Sequence, residues 1–421
     1  MEAARFPTKE SLQGGPSSPP SLSPTAAHQQ STKKASPRDR TCAGLVSRAG
    51  KEWRPAVRMN AHLGAVRCTV MADEGKTLFT GSEDTLIKVW NLPPMSSSEE
   101  SPSAPGESLE GPLCLRGGTS AVLSMAFRED DRTLVAGRAD GVVSMYRLPP
   151  RDAELSPLSP RREIAAVVRS EEVCRHEDAV WSVRLGRPED CLLATGSSDG
   201  TACVWKVAGP NSDTAEDTPF LQLLAQRFKL VEEGKTIDPS ALCWHPFDMS
   251  SKLVIGYTDG SVACVDVHSG KFISRTAGVE SGASITTLEA ASGAKCVFAG
   301  FSDGSIKAID VEANVVAGGG NGGTTALTGL AAEKWEVTTS SLDGFVRFWD
   351  MRRSLRSSSE SLSMESMGEK KDTLEAPRQS IRLREFDHPS SDSALLSLHR
   401  VSNFVAVGGY DGRVDLLTPK I

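Results

Sequence analysis

Histidines and a recurring series of aspartates are the residues of this 421-residue chain that could do chemistry. A histidine beside a carboxylate can act as a general base or a metal ligand, and both uses leave spacing signatures. His28, His245, His268, His388 and His399 stand in no H-x-x-x-H or H-E-x-x-H pattern, so no metal site is expected. The run AGGGNGG (317–323) has the glycines of a phosphate loop. It lacks the G-K-[ST] ending and opens no predicted helix, so it reads as a loop. Seven aspartates, Asp84, Asp140, Asp199, Asp259, Asp303, Asp343 and Asp411, could pass for paired acid–base carboxylates, but each falls in a turn of its own. Nine cysteines occur singly with no C-x-x-C pair, which argues against a disulfide framework and for free thiols in a reducing compartment. No catalytic residue, cofactor or metal is expected, and the chain reads as a non-enzyme.

The aspartates matter for what surrounds them. Each follows a short apolar strand and a Gly or Ser, sits in a turn (Asp-Gly in six copies), and precedes a second strand. Examples are TLFTGSEDTLIKVWNL (77–92), LLATGSSDGTACVWKV (192–207) and EVTTSSLDGFVRFWDM (336–351). Six residues after each aspartate stand Trp90, Tyr146, Trp205, Val265, Ile309, Trp349 and Leu417, all apolar or aromatic. Upstream lies a further strand of the form apolar-x-x-apolar, as in Val66/Thr69, Val122/Met125 and Val180/Val183. Period-2 alternation joined by Asp-Gly turns is the signature of antiparallel hairpins. Repeated seven times at spacings of 56, 59, 60, 44, 40 and 68 residues, it predicts the blades of a propeller.

Length beyond one repeat falls in polar Ser/Pro/Glu-rich stretches near 93–111, 149–170, 208–218 and 352–389, read as insertions that bury too little apolar surface to order themselves. Residues 1–50 read as a disordered polar tail and 51–421 as the propeller. The last copy ends at its third strand, Arg413–Thr418, so the extended segment Trp53–Met59 is expected to supply the missing outer strand and close the ring. Net charge is −7, which does not favour nucleic acid or an anionic membrane as partner. No apolar run approaches the ~20 residues of a membrane span. A cytoplasmic setting is expected, with the nucleus as the other possibility.

Over about residues 53–418 these copies resemble the WD40 repeat family, which implies an all-β, seven-bladed β-propeller. In that family a His, a Ser or Thr, the turn Asp and the strand-end Trp form a buried tetrad. The resemblance assigns one to His62, Thr80, Asp84 and Trp90, and another to His176, Thr195, Asp199 and Trp205. Copies four, five and seven lack the nearby His and the Trp, and are expected to rely on packing alone. The resemblance also places two positions per copy at the entrance of the central channel, where partners are met. Among these Arg67, Glu83, Trp181, Leu342, Leu396 and Tyr410 stand out as contacts for proteins or peptide segments. Two stretches, WRPAVRMNAHLGAVRC…TGSEDTLIKVWNL (53–92) and HEDAVWSVRL…SSDGTACVWKV (176–207), are similar to the C-terminal propeller of the striatin family. That likeness implies a scaffold for phosphatase 2A and Ste20-type kinases. The competing reading is a cullin-type ubiquitin-ligase adaptor, which needs an arginine-rich entrance for a phosphodegron, with Arg67 and nearby Arg138 as the available cations. Serines after arginines in 352–368 and around Ser156 and Ser159 suit phosphorylation.

Overall fold

The computed structural model describes residues 52–92, 112–115, 118–148, 169–187, 189–207, 222–248, 251–276, 282–290, 296–321, 325–351, 377–383 and 394–420. The expected tail 1–50, the insertions 93–111 and 208–218, and the serines of 352–368, with Ser156 and Ser159, lie outside them.

Seven antiparallel sheets form, one for each turn aspartate. In blade 1 the strands run Val66–Ala72, Thr77–Ser82, Ile87–Asn91 and Leu113–Leu115 from the inside outward. Blades 2 to 6 repeat this order from the inner strands Val122–Arg128, Val180–Leu185, Pro239–Trp244, Ile285–Ala290 and Leu327–Glu333. Blade 7 is built from both ends of the repeat region. Leu395–Val401, Phe404–Gly409 and Arg413–Pro419 are completed by Trp53–Asn60, with Trp53 opposite Pro419 and Asn60 opposite Arg413. The outer strands of blades 2 and 6, Arg169–Arg175 and Gln379–Arg382, fall partly or wholly within the stretches expected to be insertions. The polar sequence misled here because an outermost strand pairs on one edge and stays half-exposed, so it needs little apolar content. Blade 3 carries a fifth strand, Lys235–Ile237, hairpinned onto its long outer strand Gln222–Glu232.

The core is divided into seven layers, one between each pair of adjacent blades. Because successive side chains of a strand point to opposite faces, each blade feeds two layers. Phe79 packs towards Leu134 and Tyr146 of blade 2, while its neighbour Leu78 packs towards Ala406 and Leu416 of blade 7. Strands buried on both faces read as continuous apolar runs, which explains why the second strand of every copy is its most recognisable segment. The small residue ending that strand has a packing cause. A Cβ on Gly81 would come within 2.7 Å of Val122 in the next blade, and one on Gly408 within 2.6 Å of Val66. Blade 6 shifts this clearance to the opposite strand, where Gly329 faces Ser340.

The turns follow from backbone conformation. Six copies place glycine after the aspartate at positive φ, for example Gly200 at 81° and Gly412 at 76°, while Thr85 takes the same region at 73° in blade 1. Apart from one 3-10 turn at Asp73–Gly75, no helix occurs among the described residues.

Candidate functional site: the entrance ring and its tetrads

Two blades hold a complete relay behind the turn. In blade 3, Trp205 Nε1–H donates to Thr195 Oγ1 (2.9 Å), which lies 2.7 Å from His176 Nε2, and His176 Nδ1 lies 2.8 Å from Asp199 Oδ2. Blade 1 repeats it with Trp90–Thr80 at 3.0 Å, Thr80–His62 at 2.8 Å and His62–Asp84 at 2.8 Å. Indole N–H is donor-only and an ionised carboxylate acceptor-only, so the proton order is fixed. Thr donates to Nε2, and the imidazole, protonated at Nδ1, donates to Asp. Burial dominates at His62 and lowers its pKa below the ordinary 6.5, which outweighs Asp84 and keeps the ring neutral. For Asp84 burial pushes upward, but the His62 hydrogen bond and the amides of Leu86 and Leu63 hold the carboxyl below its usual range. The relay is internally satisfied, and its effect is to pin the turn.

The blades without this histidine do not all rely on packing. In blade 4, Arg275 from the outer strand Lys271–Arg275 places Nη2 2.7 Å from Asp259, and the same guanidinium pairs with Glu232 of the blade 3 hairpin and with Ser261. In blade 6, Arg347 pairs with Asp343 and Ser341, while Trp349 donates to Thr339 at 3.0 Å. An arginine can stand anywhere its long side chain reaches, so no fixed spacing advertises it. That is why sequence spacing assigned blade 4 to packing alone.

The turns hold the seven entrance positions in one repeated geometry. The residue before each aspartate donates its N–H to the carbonyl just ahead of the inner strand: Glu83 to Ala65, Ala139 to Ala121, Ser198 to Ala179, Thr258 to Asp238, Ser302 to Ser284, Leu342 to Ala326 and Tyr410 to Ala394, all at 2.9–3.1 Å. One residue further in, the register slips in every blade, between Val66/Cys68, Val122/Ser124, Val180/Ser182, Pro239/Ala241, Ile285/Thr287, Leu327/Gly329 and Leu395/Ser397. A bulge leaves one residue unopposed and re-aims its side chain. The bulged residues are Arg67, Leu123, Trp181, Ser240, Thr286, Thr328 and Leu396, which include the entrance candidates Arg67, Trp181 and Leu396.

The candidates differ in what they offer. Trp181 is 41% exposed, with its indole N–H bonded to Ser198 Oγ. Arg67 is clamped to the exposed Glu83 within its own blade (2.7 Å), so its charge is largely neutralised. Leu342 and Tyr410 are half-buried. Leu396 is only 9% exposed and packs inward, which corrects its reading as a surface contact. Arg138 is fully buried, donating to the carbonyls of Ser120 and Thr85 and to Tyr146 Oη, and offers no cation to the entrance.

Sequence reading missed a polar layer deeper inside. Arg184 of blade 3 reaches Glu289 of blade 5 (3.6 Å). His399 of blade 7 accepts the Met71 N–H of blade 1 (3.1 Å), and burial, helped by Arg184, pushes its pKa down to about 4. Each stands four residues after the first apolar residue of its inner strand, so period-2 alternation could have found them. The G-x-S-x-G spacing occurs twice, at Gly196–Gly200 and Gly300–Gly304, but both lie in β-hairpin turns with no helix following and make no nucleophile elbow. Among the described residues no group of His, Cys, Asp and Glu could hold a metal ion, and no helix is long and apolar enough to cross a membrane.

The profile described as "WD domain, G-beta repeat" matches residues 53–91, 112–147 and 170–206. Each match starts with the outer strand of one blade and continues into the inner three of the next, the same offset that closes the ring. Those three stretches are WD40-type repeats, and the fold is a seven-bladed β-propeller. The WD40 beta propeller domain of Doa1 superposes with a TM-score of 0.58 over 87% of this chain and 97% of that one, at 16% identity. The computationally designed Ika8 protein superposes with a TM-score of 0.54, at 17% identity over 88% of this chain. Both show the fold. By sequence the WD40 chain is similar to the striatin homolog of Dictyostelium discoideum (23% identical, 73% of this chain, 37% of that protein). It is also similar to human Striatin-4 (27%, 37% of this chain, 19% of that one). It thus spans little more than a third of the first relative's length and about a fifth of the second's. WD40 propellers are generally non-catalytic and bind proteins.

Proposed function

We propose that this WD40 propeller is a non-catalytic scaffold that docks segments of partner proteins on its entrance ring, in a striatin-like assembly of a phosphatase 2A and Ste20-type kinases. The observation that carries the reading is Trp181. An indole 41% exposed, oriented by Ser198 on a bulge at the mouth of a rigid ring, is the residue type and setting of a binding hot spot. The striatin likeness in 53–92 and 176–207 supplies the partner class. A phosphodegron adaptor finds less support, because Arg67 is committed to Glu83 and Arg138 is buried. A cytoplasmic setting belongs to the same reading, and the free cysteines agree with it.

The test is affinity purification of the tagged chain from its own cells, beside a Trp181→Ala/Tyr410→Ala variant. A phosphatase subunit or Ste20-type kinase should be recovered with the wild type and lost with the variant. Partners retained by the variant would move the site to the rim, and a cullin adaptor among them would replace this reading.

A further inference from the structure

The surroundings of Trp181 restrict what it can bind. The loop leading to it carries Glu177 and Asp178, both exposed. Asp178 is fixed in place: its Oδ1 accepts the Ala179 N–H at 2.7 Å, and its carbonyl accepts Ser197 Oγ at 2.8 Å. From the next blade comes Asp238, half-buried, whose carbonyl receives the Thr258 N–H of the entrance geometry. Burial raises the Asp238 pKa, and repulsion from Asp178 and Asp199 adds to it, with Lys235 opposing. Asp199 is spoken for by His176 and Thr201. The three residues meet at the blade 3 turn: Ser197 holds the Asp178 carbonyl, Ser198 holds the Trp181 indole N–H, and Asp238 Oδ1 lies 3.5 Å from where a Cβ on Gly200 would stand, so two carboxylates flank the turn that carries the exposed ring.

We propose that this sector, between blades 3 and 4, receives an arginine or lysine side chain from an extended partner segment, its cationic head between Asp178 and Asp238 and its apolar or planar part on the Trp181 indole. The proposal rests on the entrance ring being the docking face and adds the chemistry of the partner. A cation satisfies both features together. It relieves the carboxylate repulsion, gains charge-assisted hydrogen bonds, and is attracted to the face of the indole. An acidic or phosphorylated segment would meet like charge at the same place and be rejected.

The experiment selects random short peptides displayed on phage against the full chain, with binders to a Trp181→Ala variant removed. Selected peptides are then synthesised with arginine replaced by citrulline, or lysine by acetyl-lysine. Affinities are measured for the wild type and for Asp178→Asn/Asp238→Asn. Asparagine keeps the oxygen that Ala179 uses, and matching thermal midpoints establish that the variants are folded. The proposal expects a basic residue in the selected peptides, a loss of about tenfold on neutralising it, and no such loss with the double asparagine variant. Peptides that need Trp181 but carry no basic residue overturn the proposal and leave the docking face standing. So does a double asparagine variant that still discriminates arginine from citrulline, or tighter binding of acidic or phosphoserine peptides. Selection that yields no peptide dependent on Trp181 overturns both.

Discussion

Blades 3 and 4 stand side by side and secure the same turn aspartate by different means. In blade 3 the cation-capable group is the buried imidazole of His176, its ring held between a threonine hydroxyl and the carboxylate of the same repeat. In blade 4 it is the half-buried Arg275, which also holds Glu232 on the blade 3 hairpin. The histidine solution is local and sheltered from salt. The arginine solution couples two blades, stays in reach of solvent and is screened. The repeat thus conserves a requirement, a satisfied turn aspartate, more strictly than the residues that meet it.

The comparison can be broken most severely at Thr195. Thr195→Val keeps the shape but strips Trp205 of its acceptor and His176 of its donor inside the blade. Two stranded buried groups should cost about 3 kcal/mol, read as a drop in the denaturant midpoint. A loss near zero would mean that blade 3 stands on packing. Arg275→Gln should cost less, about 1 kcal/mol, and the difference from wild type should shrink in high salt. The Thr195→Val loss should not shrink. A salt-independent Arg275 effect would show that its stem, not its charge, does the holding.

Acid sharpens the contrast with the smallest effect. His62 binds a proton less readily folded than unfolded, so its contribution is complete above the ordinary value of 6.5 and declines as pH falls below it. Asp84 stays ionised through that range, and in blade 6, where Arg347 secures Asp343 and no histidine stands in the strands, nothing titrates there. Amide hydrogen exchange, corrected for its intrinsic pH dependence, should therefore show blade 1 loosening relative to blade 6 as pH drops from neutral towards 5. Equal loosening of the two blades would count against the neutral imidazole.

The same contrast explains what could be read in advance. The hairpins, the ring and its closure by Trp53–Met59 were legible because a buried strand, a glycine at positive φ and an inter-blade aromatic each demand a residue type at a fixed offset. The two histidine relays were legible through the resemblance to the WD40 repeat family. Arg275 and Arg347 were not, since a long side chain satisfies a carboxylate from many positions. Gln379–Arg382 was not, since a strand paired along one edge needs no apolar face. Of the entrance residues, the resemblance named Arg67, Trp181 and Leu396, but exposure was not legible: Trp181 is 41% exposed and Leu396 9% at equivalent bulges.

The strand Trp53–Asn60 pairs along its whole length with Arg413–Pro419. It is also tied to blade 6: Trp53 stacks on Phe348 at 5.0 Å, and Gln379 exchanges two hydrogen bonds with the Trp53 backbone, while Arg400 of blade 7 lies over the same indole. During synthesis this strand is the first of the ring to leave the ribosome and must wait for Arg413–Pro419 to follow before it can pair. Six blades can assemble from neighbouring hairpins as they emerge, whereas the seventh must bring together residues separated by nearly the whole propeller, the costliest loop to close. Until that happens two sheet edges stand open to other chains. The seam at Trp53 is therefore where folding is slowest and where a nascent propeller is most exposed to mispairing.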